Sequence, residues 1–229
     1  MNTKVRVLYL EDDADLGEVT SEILGREGFL VKWVNNGEKG LESIKDQSFD
    51  IVIADIMMPK LDGYTFLKRI REQGNNIPVI LLSARVLTED VLKGFSIGAD
   101  DYIRKPFSID ELIARMTRLL KNITVSAAPI KTIKIGDYEY NPYTLKLKYK
   151  EQSLSLSPKA GEILHRLATG ENGILLRDKT LIDLWGDDNF FNGRSLDVFI
   201  SKLRKLLSKD PRINILNIRA VGYRLIIVV

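Results

Sequence analysis

Residues 1–121 alternate short apolar runs with segments in which apolar side chains recur every three or four positions. Strands buried on both faces give continuous apolar runs, whereas amphipathic helices give the three-to-four spacing. The predicted strands are 5–10, 30–34, 50–54, 79–82 and 102–103, and the predicted helices are 14–27, 36–46, 63–73, 88–97 and 108–121. Strict alternation of strand and helix predicts an α/β domain, flavodoxin-like and doubly wound around a five-stranded parallel sheet.

The pattern changes after residue 121. Residues 122–131 lack periodicity and contain Ser126-Ala127-Ala128-Pro129, which predicts a linker. Residues 133–156 then alternate apolar and polar positions, as in a small antiparallel sheet. The remaining predicted elements are helices at 158–169, 178–185 and 194–208 and a terminal hairpin with strands 215–219 and 223–228. We therefore predict domains at 1–121 and 132–229, the second being smaller and α+β.

Composition narrows the possible chemistry. The chain has no cysteine, which excludes disulfides, thiolate zinc sites and cysteine nucleophiles. The first apolar run is broken by Glu11-Asp12-Asp13, well short of the roughly 20 apolar residues that span a membrane. We therefore expect a cytoplasmic protein without a membrane partner.

Charge is distributed unequally between the two halves. Residues 1–123 hold 17 Lys and Arg against 20 Asp and Glu, whereas residues 124–229 hold 17 against 11. A basic domain suits a polyanion, because Lys and Arg contacts to phosphates release condensed counterions. Charge alone is equally compatible with a solvated basic surface.

Polar side chains follow four of the five predicted strands. They are Glu11 and Asp12 after the first strand, Asp55 at the third, Ser83 after the fourth and Lys105 after the fifth. Because ligands bind at the carboxyl ends of parallel strands, we expect these side chains to share one crevice. A single acidic residue after a strand is commonly only a helix cap, but capping does not account for a set drawn from four strand ends.

This set has the parts needed to transfer a phosphoryl group to a carboxylate. Asp55 is the candidate nucleophile, because it ends the most apolar strand. Lys105 and Ser83 would bind phosphoryl oxygens. Carboxylate and carbonyl oxygens suit Mg²⁺. The predicted ligands are Asp12, Asp55, the main-chain carbonyl of Met57 and, through water, Glu11.

These residues lie in motifs that resemble the receiver domains of bacterial response regulators. The motifs are Tyr9-Leu10-Glu11-Asp12-Asp13, Asp55-Ile56-Met57-Met58-Pro59-Lys60, Leu82-Ser83-Ala84-Arg85 and Asp101-Tyr102-Ile103-Arg104-Lys105-Pro106-Phe107. The resemblance implies that a sensor histidine kinase donates the phosphoryl group and that Tyr102 turns inward behind Ser83. It also implies a homodimer through the surface formed by helix 4, strand 5 and helix 5. Charged residues expected on that surface are Lys93, Asp100, Asp101, Glu111, Arg115 and Arg118.

The last predicted helix separates into an apolar and a basic face. Leu196, Ile200, Leu203 and Leu207 follow helical spacing and should pack on the core. The opposite face carries Arg194, Val198, Ser201, Lys202 and Lys205. Lys202 can donate to guanine and Val198 can touch thymine methyl groups, while the other three can bind phosphates. The face is therefore suited to the major groove of double-stranded DNA.

Residues 132–229 resemble the winged helix-turn-helix effector domain of the OmpR/PhoB family. The resemblance rests on Leu154-Ser155-Leu156-Ser157-Pro158-Lys159, Leu184-Trp185-Gly186, the basic helix and Ile218-Arg219-Ala220-Val221-Gly222-Tyr223. It implies a recognition helix that binds promoter direct repeats, with Arg219 in the minor groove. It also implies that loop 186–193, with Phe190 and Phe191, contacts RNA polymerase. The full predicted DNA-binding set is Arg194, Val198, Ser201, Lys202, Arg204, Lys205, Arg219 and Tyr223.

Two positions depart from the family pattern. Phe199 stands where a histidine is usual, which removes one expected phosphate contact, and Ala220 replaces a usual wing glycine.

Two alternatives to a phosphorylation switch remain at this point. An aspartyl-phosphate hydrolase uses the same nucleophile, but such enzymes carry a second aspartate two residues later, and here that residue is Met57. A DNA-binding protein with a vestigial receiver is the second alternative, and the intact acidic set argues against it. We therefore expect no enzymatic activity beyond the domain's own Mg²⁺-dependent phosphotransfer and dephosphorylation.

Overall fold

The computed structural model of the 229-residue chain describes residues 4–84, 94–121, 132–186 and 190–228, without the side chains of Lys121, Phe190 and Phe191. The chain divides into two compact units, residues 1–121 and 122–229. The predicted linker 122–131 and the predicted interface residue Lys93 lie outside the described residues. Within the described ranges, no helix combines the length and the apolar character needed to cross a membrane.

The first unit is a five-stranded parallel sheet covered by helices, as predicted. Its strands are β1 (Arg6–Leu10), β2 (Leu30–Val34), β3 (Ile51–Asp55), β4 (Val79–Ser83) and β5 (Asp101–Arg104). The helices are α1 (Ala14–Arg26), α2 (Gly37–Asp46), α3 (Gly63–Glu72), α4 (helical residues 94–97) and α5 (Ile109–Lys121). The strand order is β2-β1-β3-β4-β5, so the chain reverses its direction of winding between β1 and β3. A crevice for a ligand forms at such a switch point.

Both faces of this sheet are buried, which explains the continuous apolar runs. Alternate residues of each strand enter two separate cores, with Val52 and Ala54 in one and Ile51 and Ile53 in the other. All five residues of β3 are buried. The strand is therefore held on both faces and both edges, and its last residue, Asp55, is placed accurately at the carboxyl edge of the sheet.

In the part that the structure describes, the second unit contains two small antiparallel sheets, three α-helices and a short 3-10 helix (Glu171–Gly173). A four-stranded sheet comes first, with β6 (Ile133–Ile135), β7 (Tyr138–Asn141), β8 (Lys146–Tyr149) and β9 (Gln152–Ser155). The later elements are α6 (Pro158–Thr169), β10 (Ile174–Leu176), α7 (Arg177–Trp185), α8 (Phe190–Leu207), β11 (Ile213–Ile218) and β12 (Gly222–Ile227). Strands β10, β12 and β11 form the second sheet, and β11 and β12 make the predicted hairpin. This is the predicted winged-helix arrangement.

Helix α8 begins at Phe190, four residues before its predicted start, so the predicted loop 186–193 is too long. Gly193 lies inside the helix, where a Cβ would come 2.8 Å from Nη2 of Arg177, an atom at the end of a flexible side chain. Phe190 and Phe191 belong to the helix.

The four-stranded sheet holds the end of α8 in place. The Tyr138 hydroxyl donates to the carbonyl of Leu206 at 2.8 Å, near the last turn of the helix. Asp210, buried just beyond the helix, accepts from the main chain of Asp137 at 2.9 Å and from the guanidinium of Arg212. The helix is thus anchored on a strand of one sheet and on the turn that leads into the other.

Candidate functional site

An acidic pocket lies at the carboxyl ends of β1, β3 and β5. Nζ of Lys105 donates to Oδ2 of Asp55 at 2.5 Å and to Oε2 of Glu11 at 2.6 Å. Glu11 and Asp55 are 1% and 6% exposed, whereas the neighbouring Asp12 is exposed. One carboxylate oxygen from each of the three acids lies within 4.8 Å of the others. The sequence-predicted acids and lysine therefore lie together.

Burial and charge act in opposite directions in this pocket. Burial raises the pKa of Glu11, and the hydrogen bond and charge of Lys105 offset part of this increase. Burial alone would lower the pKa of Lys105, but its bonds to Asp55 and Glu11 reverse the direction and raise it. The lysine is consequently held as a cation between two carboxylates.

The main chain around Asp55 orients its carboxylate. Oδ1 of Asp55 accepts from the main-chain N–H of Met57 at 3.0 Å, while Oδ2 is bound by Lys105. The start of α3 approaches closely, since a Cβ on Gly63 would lie 2.3 Å from the carbonyl oxygen of Asp55. The Met57 side chain is 51% exposed and contributes no acid or base. Asp55 is thus the oriented carboxylate of the pocket.

Ser83 and Tyr102, the two residues predicted to respond to phosphorylation, lie on β4 and β5, and only β4 is next to the strand of Asp55. Asp55 is in register with Leu82, so Ser83 comes one residue further toward the pocket edge, and its side chain is fully buried. Tyr102 is half-buried on the edge strand, in register with Leu81, and packs against one of the two receiver cores. Both residues therefore occupy the predicted strand positions.

Two aromatic residues that the sequence analysis did not select also contact the pocket. The Tyr9 hydroxyl donates to Oε2 of Glu11 at 3.2 Å, and the Trp33 indole N–H donates to the carbonyl oxygen of Glu11 at 2.8 Å. Burial raises the pKa of the Tyr9 phenol, which keeps it in the donor form. Both lie on apolar strands and resemble ordinary core residues in sequence. The spacing could have indicated the contact of Tyr9, because Tyr9 precedes Glu11 by two residues and alternate residues of a strand share a face.

The acidic pocket fits a hard divalent cation. Its three carboxylates offer oxygen ligands of the kind that Mg²⁺ prefers. Oε1 of Glu11 is buried and has no hydrogen-bond partner among the described residues. A buried carboxylate oxygen without a partner is costly, and coordination to a cation would remove that cost.

Asp100, which was predicted to lie on the dimer surface, is not exposed. This side chain is fully buried and accepts from Nη2 of Arg71 and from the N–H of Val79, both at 3.0 Å. The prediction that Asp100 lies on a surface is therefore wrong, because a residue of α3 neutralises it inside the domain. Asp101 is also buried, at 1% exposed, so its predicted place on an exposed surface is wrong as well. Arg115 binds Asp101 at 3.1 Å and Glu111 at 2.9 Å within the same chain, and Arg118 is half-buried.

Helix α8 separates into the two predicted faces. Leu196, Ile200, Leu203 and Leu207 are at most 1% exposed and enter the core. The opposite face exposes Arg194, Ser201 and Lys205, with Val198 and Lys202 half-buried beside them. Phe199 is fully buried against Trp185, with ring centroids 6.1 Å apart, so it cannot replace the phosphate contact of a histidine.

Arg204 and Tyr223, which we also predicted to bind DNA, make bonds inside the domain. Nε and Nη2 of Arg204 donate to the carbonyl of Ile215 at 2.8 and 2.6 Å. The Tyr223 hydroxyl donates to Asp197 at 2.5 Å, and the residue is 4% exposed. These bonds connect the basic helix to the hairpin, and DNA contacts from either residue would compete with them.

The hairpin turn carries Arg219, which is exposed, followed by Ala220 with φ of 59°. That left-handed conformation favours glycine, and an L-residue pays roughly 1–2 kcal/mol for it. The turn therefore contains an alanine in a strained conformation. The N–H of Val221 donates to the carbonyl of Ile218 at 3.0 Å across this turn.

Comparisons with known proteins match both units. Residues 7–117 match the family model described as the response regulator receiver domain. Residues 151–225 match the model described as transcriptional regulatory protein, C terminal. The two models fall within the first and the second unit of the chain, respectively.

Relatives match the chain over almost its whole length. The chain is 40% identical to the transcriptional regulatory protein RprY of Bacteroides fragilis (strain YCH46), over 99% of this chain and 96% of the relative. It is 34% identical to the transcriptional regulatory protein DltR of Streptococcus agalactiae serotype III (strain NEM316), over 96% and 98%. The crystal structure of DrrB, a Thermotoga maritima OmpR/PhoB homolog, is 31% identical over 98% of this chain and 100% of that one, with a TM-score of 0.52. The chain belongs to the OmpR/PhoB family of two-component response regulators, the transcriptional regulators that join a receiver domain to a DNA-binding domain.

Proposed function

We propose that Asp55 accepts a phosphoryl group from the phosphohistidine of a sensor histidine kinase and that this controls DNA binding by residues 132–229. The observation that carries the proposal is the position of Lys105, whose Nζ bridges Asp55 and Glu11 at 2.5 and 2.6 Å. One cation is thereby placed beside the nucleophile, where phosphoryl oxygens would arrive. We assign residues 1–121 to the phosphoacceptor domain and 122–131 to the linker.

The reaction makes one bond and breaks one. A carboxylate oxygen of Asp55 bonds to phosphorus, and the bond from phosphorus to the kinase imidazole nitrogen breaks, with the electron pair leaving on that nitrogen. The N–H of Met57 orients the Asp55 carboxylate, and Lys105 can turn from the acids to a phosphoryl oxygen. Ser83 and Tyr102 would then respond to the added charge.

Mg²⁺ is the proposed cofactor of this step. When bound by Asp12, Asp55, the Met57 carbonyl and Glu11, it would offset the charge that builds up on the phosphoryl oxygens. Glu11 is the ligand with the buried, unpartnered oxygen. Met57 stands at the position of a hydrolase's second aspartate, so the acyl phosphate should persist long enough to act as a signal.

In the second unit, the exposed face of α8 is proposed to enter the major groove of promoter direct repeats. Arg194, Ser201 and Lys205 would bind phosphates, and Lys202 and Val198 would contact bases. Arg219 on the hairpin would reach the minor groove. Arg204 and Tyr223 would contact DNA only in competition with their bonds to Ile215 and Asp197.

Phosphorylation is proposed to promote a homodimer through α4, β5 and α5. Arg115 already pairs with Asp101 and Glu111 in the single chain, so a dimer would share or exchange these partners. Residues 186–193 are proposed to contact RNA polymerase at the promoter. With these partners, we propose that the protein acts in the cytoplasm.

Acetyl phosphate with Mg²⁺ tests the phosphoacceptor. Intact-protein mass spectrometry should show one added phosphoryl group, and Asp55→Asn should abolish it. Asp13→Asn is the matched control, since Asp13 only caps α1 through the N–H of Leu16 and asparagine caps equally well. Persistent labelling of Asp55→Asn would contradict the proposal.

A further inference from the structure

Glu11 is restrained from several directions at once. Its Oε2 accepts from the Tyr9 hydroxyl at 3.2 Å and from Lys105 at 2.6 Å. Its main-chain N–H donates to the carbonyl of Val34 at 3.0 Å, and its carbonyl accepts from the Trp33 indole at 2.8 Å. Asp12, one residue later, is exposed. Of the two acids that follow β1, Glu11 is thus firmly held and Asp12 is solvated.

Tyr9 lies on β1 and is fully buried in the core that also contains Val7 and Ile53. The hydroxyl is the only polar atom of its side chain, and it donates to Oε2 of Glu11. With Oε2 bound twice, the other oxygen, Oε1, remains buried and without a partner among the described residues. The phenol, together with Lys105, therefore holds Oε2 and leaves Oε1 for a ligand.

Trp33 supports the same residue from the adjacent strand β2. Its indole ring lies against the first turns of α1, where a Cβ on Gly17 would be 2.3 Å from the ring. Only glycine leaves room for the indole there without displacement. The absence of a side chain at position 17 therefore permits the bond from Trp33 to the Glu11 carbonyl.

We propose that Tyr9 and Trp33 are positioning residues that hold Glu11 with Oε1 available to Mg²⁺ and so set the affinity of the pocket for the cation. The inference rests on the proposed Mg²⁺-dependent phosphoacceptor function. Partners of metal ligands fix ligand orientation, and their loss typically weakens metal affinity by about 10- to 100-fold. Neither residue contacts the phosphoryl group in this proposal.

The test compares Tyr9→Phe with the unaltered full chain. Phenylalanine keeps the ring in the core and removes only the hydroxyl. Urea unfolding of the receiver domain is followed with and without MgCl₂, and the shift in midpoint gives the Mg²⁺ dissociation constant by linkage. We expect the dissociation constant to rise at least about tenfold in Tyr9→Phe. A purely structural tyrosine would lower both midpoints equally and leave the dissociation constant unchanged, which would overturn the inference.

Two further variants keep the test decisive. Tyr64→Phe changes a buried tyrosine that packs in the other core of the same sheet, and we expect it to leave the Mg²⁺ dissociation constant unchanged. If Tyr9→Phe does not fold, Trp33→Phe removes the other support and is expected to weaken Mg²⁺ binding in the same assay. An unaltered chain without any Mg²⁺ response would defeat the proposed function as well, whereas a normal response in all variants would defeat the positioning role alone.

Discussion

The acidic pocket and the basic helix α8 use charge in opposite ways. In the pocket, Glu11 and Asp55 are almost fully buried, and both bind Lys105. On α8, Arg194 and Lys205 are exposed on the face turned away from the core. Buried charges interact strongly with the few groups that they contact, whereas exposed charges are screened by water and salt.

This difference predicts different responses to substitution. A buried charge that loses its partner retains a large desolvation cost, so a single change should have a large effect. An exposed charge contributes one of several similar attractions, so the effect of removing it should be small, and the effects of removing several should add. Removing a single buried charge from the receiver domain should therefore have a large effect, whereas removing a single exposed charge from the DNA-binding domain should have a small one.

The largest effect is expected at Arg71. Its guanidinium binds the fully buried Asp100 and also the carbonyls of Asn75, Ile77 and Gly98. Arg71→Met would leave Asp100 buried without its countercharge, and we expect a loss of about 3–5 kcal/mol in the free energy of unfolding, measured with urea.

An exposed pair provides the control for Arg71. Arg26 contacts Glu22 at 2.5 Å, and both side chains are more than half exposed. Arg26→Met should change the free energy of unfolding by less than about 0.5 kcal/mol. Similar losses in the two variants would remove the distinction between buried and exposed charge.

Lys105→Met should have the next largest effect. It leaves Glu11 and Asp55 facing each other without a cation, but the lysine side chain is 17% exposed, so water relieves part of the cost. We expect a loss of about 2–3 kcal/mol, below the range for a fully buried pair. Because a divalent cation can replace the missing charge, added MgCl₂ should restore part of the lost stability, and equal losses with and without it would contradict this account.

On α8 the predicted effects are smaller and separate by role. Lys202→Ala should weaken binding to the specific site by about 1–3 kcal/mol with little change on unrelated DNA. Lys205→Ala should weaken both equally and reduce the slope of log K against log salt by about one. Competition binding at several salt concentrations distinguishes the two, and identical behaviour of the variants would refute the division between base and phosphate contacts.

The sequence predicts the elements well where local signals and packing agree. Helix α6 has its predicted bounds because Ser157 caps it and Pro158 begins it. The start of α8 was misplaced because residues 186–193 were predicted as a loop from the family resemblance, whereas residues 190–193 form the first turn of the helix. Strand limits differ by one or two residues, since they depend on partners in neighbouring strands.

Only part of the acidic pocket was predictable from the sequence. Glu11, Asp55 and Lys105 follow apolar strands, and parallel strands bring their ends together. Asp100 and Asp101 appeared to be surface residues because their partners, Arg71 and Arg115, lie 29 and 14 residues away. Tyr9 was missed because its ring fits the apolar pattern of β1, while its hydroxyl donates to Glu11 in the pocket.

The smallest predicted effect lies at the hairpin turn that carries Arg219. Ala220 has φ of 59°, so Ala220→Gly removes strain of about 1–2 kcal/mol but also gives the unfolded chain more freedom, worth about 0.4–1 kcal/mol. We expect a net gain of about 0.5–1 kcal/mol in the free energy of unfolding of the DNA-binding domain. Ala220→Val provides the opposite case at the same position, because a β-branched residue is least tolerant of positive φ and should destabilise the domain. A loss of stability in the glycine variant would mean that the turn adopts another conformation, and the placement of Arg219 at the minor groove would then have to be reconsidered.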